Sequence, residues 1–195
     1  MFVIVRHGNT FESGEPPRRI GARTDLPLTA TGLAQADALG RHFAAQDMRF
    51  ARVLVSPLTR TRQTAEAMLR HLPDAPAPSP CDWLREIDHG PDEDQSEDAV
   101  IARIGAQALA DWDARAVPPP GWDVDAPARL AGWRELFAGD DGPVLLVTSN
   151  GAGRFALLAA EIDGAPAMKL PTGGYGIIAR DAQGALRLAA WGERP

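Results

Sequence analysis

The clearest apolar runs in the chain, Phe2 to Val5, Val53 to Val55 and Val144 to Val147, are too short and too rich in β-branched residues to be helices. Each reads as a buried strand, and each is followed by helix-start chemistry. After the first, Thr29 or Thr31 stands before a helix whose apolar face carries Leu33, Ala36, Leu39 and Phe43. After the second, Ser56 precedes Pro57, and a proline at the first helical position has no N–H to lose. After the third, Ser149-Asn150-Gly151 turns into a helix through Ala160. Parallel strands need such crossovers, so the alternation restricts the chain to the α/β class: a three-layer α/β/α sandwich around a mainly parallel sheet.

Ser96 predicts a helix to about Ala116, ended by Pro118-Pro119-Pro120-Gly121, and a shorter helix is expected near Pro127 to Phe137. Four prolines within residues 73–80 predict a stiff loop. Gly176 to Ala179 and Leu186 to Ala189 flank Asp181-Ala182-Gln183-Gly184 and predict a hairpin, which makes the sheet mixed at one edge. At roughly 150 residues per domain, a chain of 195 residues is expected to form a single domain, 1–195.

Composition narrows the function classes. With 45% hydrophobic and 24% charged residues, the chain lies in the globular range rather than the disordered one. A net charge of -6 argues against coating nucleic acid or an anionic membrane surface, because both need a cationic face. A local arginine cluster is still able to take a small anion. Arginine supplies 19 of the 20 basic residues, and Lys169 is the one lysine. Cys81 has no second cysteine to pair with, and the apolar opening run is too short for a signal peptide or a membrane span, so the cytoplasm is the expected compartment.

Open α/β sheets bind ligands outside the carboxyl ends of their strands. There the sequence places Arg6-His7-Gly8 after the first run, Ser56 and then Arg60 after the second, and Thr148 to Gly151 after the third. Two arginines converging near a histidine suit a phosphoryl group, because guanidinium forks match its oxygens and stay charged. A neutral imidazole beside them is a competent nucleophile toward phosphorus. Gly151-Ala152-Gly153-Arg154-Phe155-Ala156 has the spacing of a dinucleotide fingerprint, but no further βαβ unit follows and no acidic residue stands at the expected offset. Its glycines fit a phosphate-facing turn instead.

These residues resemble the histidine phosphatase superfamily, the phosphoglycerate mutase-like proteins. Arg6-His7-Gly8-Asn9-Thr10 is similar to its Arg-His-Gly signature, and Asp25-Leu26-Pro27-Leu28-Thr29 with Gly32 and Gln35-Ala36 to the segment that follows. Ser56-Pro57-Leu58-Thr59-Arg60-Thr61-Arg62-Gln63-Thr64-Ala65 is similar to its Ser-Pro-Leu-x-Arg helix, and Leu84-Arg85-Glu86-Ile87-Asp88 to its Leu-x-Glu-x-Asp segment. The resemblance implies a phosphoglycerate mutase-like fold and a phosphatase without metal or cofactor that hydrolyses a small phosphomonoester. It implies that His7 becomes phosphorylated, that Arg6 and Arg60 hold the phosphoryl group, and that Glu86 protonates the leaving oxygen, with Asp88 as the fallback acid. The expected partner is a small phosphorylated substrate or inorganic phosphate, not nucleic acid or membrane. Asn9 is a further candidate for the site, and Arg23 a candidate for a second anionic group.

The resemblance also implies a second histidine directly after the Val144 to Val147 run. Aligned back from Arg154-Phe155-Ala156-Leu157, Ser149 stands in its place, followed by Asn150. Both are able to hydrogen-bond phosphate, but neither is a cation, and a charge-assisted hydrogen bond is worth about 1.5–3 kcal/mol. His89, three residues after Glu86, is the candidate replacement. The alternative reading is a phosphate-ligand binding or regulatory relative with weak or no turnover. A phosphoglycerate mutase must retain and re-present a bisphosphate, for which the resemblance implies longer insertions than 195 residues hold.

Overall fold

Strand β1 (Phe2–Arg6) pairs in parallel with β4 (Val144–Thr148) on one side and antiparallel with β5 (Tyr175–Arg180) on the other. The computed structural model describes residues 1–139, 142–162 and 167–195. Beyond β4 lie β2 (Arg52–Val55) and the short β3 (Ser79–Pro80), both parallel; beyond β5 lies β6 (Leu186–Glu193), antiparallel. The sheet order is therefore β3-β2-β4-β1-β5-β6, parallel through the strands that carry the motifs and mixed at the hairpin edge, as expected.

Alternation along each strand divides the core between two faces. Val3, Val5, Val53, Val55, Leu145 and Val147 pack against Leu39 and Phe43 of α1 (Ala30–Ala45) and Ala65 and Met68 of α2 (Thr59–Leu69). Phe2, Ile4, Leu54, Val144 and Leu146 pack on the other face with Leu109 and Trp112, Trp133 and Phe137, and Phe155. Strands β1 and β4 are thus covered on both sides, which is why they read as unbroken apolar runs. Three layers result.

The helices differ from the expected ones in ways that have local causes. Thr29 caps α1, its side chain accepting from Gly32 N–H at 3.0 Å. Helix α2 begins at Thr59 rather than Pro57. Its first N–H is taken by Asp25 Oδ1 at 2.8 Å, and the Thr59 hydroxyl by the same carboxylate, whereas Ser56 Oγ lies 3.5 Å from Leu58 N. The expected helix to Ala116 is two, α3 (Glu97–Ile104) and α4 (Ala106–Arg115), because Gly105 between them adopts φ +82°. Helix α5 (Ala126–Ala138) leads back to β4, and the segment after β4 divides into α6 (Asn150–Gly153) and α7 (Phe155–Ala159). The proline-rich stretch contains β3, an edge strand in which Pro80 costs no ladder bond on its open side. No helix among the described residues is long and apolar enough to cross a membrane.

Candidate active site

Strand β1 delivers Arg6 and His7 to the carboxyl edge of the sheet. The His7 N–H donates to Thr148 O at 3.1 Å and its carbonyl accepts from Gly173 N at 3.0 Å, so the backbone is held from both sides. Its side chain is buried, with Nδ1 2.7 Å from Gly8 O. A carbonyl only accepts, so Nδ1 carries the proton of the neutral ring and Nε2 keeps the lone pair. Burial first, then the charges of Arg60 and Arg6, hold the imidazole pKa well below its ordinary 6.5, against the opposing pull of the Gly8 bond. At neutral pH the ring is neutral rather than a cation.

Two guanidiniums flank it from different elements. Arg6 Nη1 donates to Leu170 O at 2.8 Å; burial lowers its pKa to about 10, with Glu86 opposing and Arg154 and Arg60 adding to the drop. It stays charged. Arg60, on the first turn of α2, is fully buried and donates from Nη1 to Thr24 O at 3.0 Å and from Nη2 to Gly21 O at 3.1 Å. The Nε atoms of both arginines, and Oγ of Ser149 at the end of β4, are buried without a hydrogen-bond partner among the described residues. Buried donors left unpaired cost free energy, so this edge is incomplete by itself.

Glu86 faces that edge from the segment that follows the short 3-10 helix Asp82–Leu84. Thr148 Oγ1 donates to Leu84 O at 2.7 Å, and Arg129 of α5 reaches Val124 O at 2.6 Å, Trp83 O at 2.9 Å and Arg85 O, fixing the backbone that leads into the glutamate. Glu86 is only 7% exposed and is the leading opposite charge for Arg6, Arg60 and Arg129. A Cβ on Gly151 would lie 2.0 Å from Glu86 Oε1, so glycine there makes room for the carboxyl.

Behind Arg60 stands a second carboxylate that the sequence did not single out. Glu93 Oε1 accepts the backbone N–H groups of Gly21 and Arg23 at 3.0 Å and Thr24 at 2.9 Å, and Oε2 accepts His89 N–H at 3.1 Å. Burial would raise this carboxyl; hydrogen bonds from His89 and Thr24 and the His89 charge overcome it and hold the pKa at about 2. Glu93 therefore pins residues 21–24, whose carbonyls hold Arg60.

A cleft of about 510 Å³ opens above His7. Of the candidate residues, Arg6, His7, Asn9, Glu86, His89 and Asn150 line it, while Arg60 and Ser149 lie buried behind its wall. His89 turns Nδ1 toward Glu93 Oε2 at 3.5 Å and sets its ring edge-to-face with Trp122 at 4.5 Å. Arg23 is not on the wall: its guanidinium is exposed and bonds to Asp88, at 2.9 Å, and to Gly90 O. Asp88 is engaged there and is not on the wall either. Trp122 packs in the core, and Trp112 lines the cleft. Arg19, Arg154 and Lys169 also line the cleft and were not anticipated. The available signal for Arg154 was one basic residue inside an otherwise apolar Gly151 to Leu157 segment. Among the described residues no cluster of His, Cys, Asp and Glu is arranged to hold a metal ion.

The family model described as histidine phosphatase superfamily (branch 1) matches residues 2–193. A 2,3-bisphosphoglycerate-dependent phosphoglycerate mutase of Methylobacterium sp. (strain 4-46) is 34% identical over 134 residues, 67% of this chain and 64% of the mutase. The fructose-2,6-bisphosphatase TIGAR of Xenopus laevis is 43% identical over 69 residues, 35% of this chain and 24% of its own. The matches thus span less than two thirds of either relative. Among solved structures, mycobacterial glucosyl-3-phosphoglycerate phosphatase superposes with a TM-score of 0.79 at 21% identity, covering 100% of this chain and 99% of that one. That likeness concerns the fold.

Proposed function

Because the chain belongs to the histidine phosphatase superfamily, we propose that it hydrolyses a small phosphomonoester through a phosphohistidine on His7. The observation that carries this reading is a neutral, buried imidazole whose Nε2 keeps its lone pair, set among the Nε atoms of Arg6 and Arg60 and the Ser149 hydroxyl, which are buried without a partner among the described residues. A phosphoryl group would complete them. The Nε2 lone pair attacks phosphorus, an N–P bond forms, and the ester P–O bond breaks. Glu86 in its acid form gives its proton to the departing oxygen. Water then attacks the phosphohistidine, Glu86 takes the proton back, and the N–P bond breaks to release inorganic phosphate. Arg6 and Arg60, with Ser149 and Asn150, hold the equatorial oxygens, whose charge is what such a site must stabilise.

The test is turnover of a chromogenic phosphomonoester together with acid-labile labelling of the protein. The parent is expected to carry label on His7 and to turn over; His7→Ala loses both while keeping its circular dichroism. Equal rates for variant and parent would overturn the assignment. A second reading has one observation in its favour, namely that Ser149, where the resemblance implies a histidine, brings no positive charge. Phosphate binding with no labelled His7 and no turnover would establish that reading, a phosphate-binding relative.

A further inference from the structure

The cleft holds more positive charge than the phosphoryl group needs. Besides Arg6, it is lined by Arg18, Arg19, Arg154 and Lys169. Three of these four already face a carboxylate. Arg18 Nη1 is 3.0 Å from Asp94 Oδ2, Arg19 Nη2 is 2.6 Å from Glu97 Oε2, and Arg154 Nη2 is 3.5 Å from Asp113 Oδ1. Arg19 and Arg154 also lie against the indoles of Trp122 and Trp112, at 5.5 and 4.1 Å. Lys169 has no hydrogen bond or ion pair among the described residues. Among the described residues it is the one of these four cations without a paired carboxylate.

Its position is nonetheless fixed. The Leu170 N–H donates to Asn150 Oδ1 at 2.9 Å, and Leu170 O accepts from Arg6 Nη1 at 2.8 Å. The backbone next to Lys169 is thereby tied to the arginine beside His7 and to the residue after Ser149. The side chain is exposed, and its ammonium lies in the fields of Asp113 and Glu97 and of Arg6 and Arg19. Asp113 and Glu97 are already paired with Arg154 and Arg19. A compact ammonium on a flexible stem suits a ligand charge whose place varies with the ligand. In a chain whose other 19 basic residues are arginine, this position alone is lysine.

We infer that Lys169 is a specificity-determining residue that takes a second anionic group, a carboxylate or a further phosphoryl group, on the part of the substrate beyond the phosphoryl group at His7. The inference rests on the phosphatase reading for the place of that first phosphoryl group. It narrows the substrate class to phosphomonoesters carrying another negative charge. Against a molecule of net charge -6, such a substrate needs a local cation to offset long-range repulsion.

A matched pair of probes tests it without turnover. Ethylphosphonate and 3-phosphonopropionate differ by one carboxylate, and neither has an ester bond to break. By calorimetry the parent is expected to bind 3-phosphonopropionate about tenfold more tightly, the scale of one charge-assisted contact. Lys169→Met should abolish most of that preference and Lys169→Arg should retain it, whereas Arg60→Ala should weaken both probes alike. A preference in Lys169→Met equal to the parent's, or none in the parent, overturns the inference while the Arg60 result upholds the phosphoryl site. If neither probe binds the parent, the phosphoryl site and this inference fall together.

Discussion

Glu93→Gln tests whether the cradle for Arg60 is organised by one carboxylate. The substitution keeps the side chain's shape and an acceptor for the N–H groups of Gly21, Arg23 and Thr24, but places an NH₂ opposite the His89 N–H in place of an oxygen. The folded pKa is about 2 against an ordinary 4.5, and at about 1.4 kcal/mol per pKa unit the gap corresponds to about 3 kcal/mol, reduced by solvent screening to about 2 kcal/mol. Because the folded value is the lower, this stabilisation is complete above pH 4.5 and is lost as pH falls from there toward 2. Urea unfolding of parent and variant should therefore differ by about 2 kcal/mol at pH 7, with the difference closing below pH 4.5. A difference that does not change with pH would refute the reasoning. A second readout follows the chain from Glu93 through Gly21 and Thr24 to Arg60. Glu93→Gln should weaken phosphate binding several-fold in the parent and hardly at all in an Arg60→Ala background. Additive losses in that cycle would show that Glu93 stabilises the fold without positioning Arg60.

Gly151→Ala should push the Glu86 carboxyl aside, since its Cβ would stand 2.0 Å from Oε1; kcat should fall more on an alkyl phosphate, whose leaving oxygen needs a proton, than on 4-nitrophenyl phosphate, and an equal loss on both would count against Glu86 as the acid. Ser149→His should restore a cationic donor at the end of β4 and raise the rate on a good substrate about tenfold. No gain there, with a tenfold loss in His89→Ala, would assign the second imidazole to His89 instead.

The inner half of the site was legible because its residues adjoin strong local signals. Arg6 and His7 end an apolar run that only a doubly covered strand explains, Ser149 ends another, and Arg60 lies a turn into a helix announced by Ser56-Pro57. Even so, the start of that helix was placed two residues early, because its first N–H is satisfied by Asp25 from 34 residues away rather than by the adjacent serine. The expected helix from Ser96 to about Ala116 runs straight through Gly105, since sequence does not state the sign of φ there. Glu93 lies in an acidic stretch, Pro91-Asp92-Glu93-Asp94, and nothing local distinguishes the carboxylate that takes four backbone N–H groups from its neighbours.

Arg62 and Arg154 each read as a basic residue in a helix, yet Arg62 is exposed and Arg154 is 2% exposed. A guanidinium tolerates that burial only when its charge and its donors are shared out. Arg154 meets the condition with Trp112 O and Asn150 O as acceptors, Asp113 as counter-charge and the Trp112 ring beneath its plane. Trp112 is 42 residues away and on another helix. The cations beside His7 are thus set by the strand end and the helix start that carry them, whereas the role of an outer cation depends on what the rest of the fold sets against it: a carboxylate for Arg19 and Arg154, and for Lys169 a place left to the ligand.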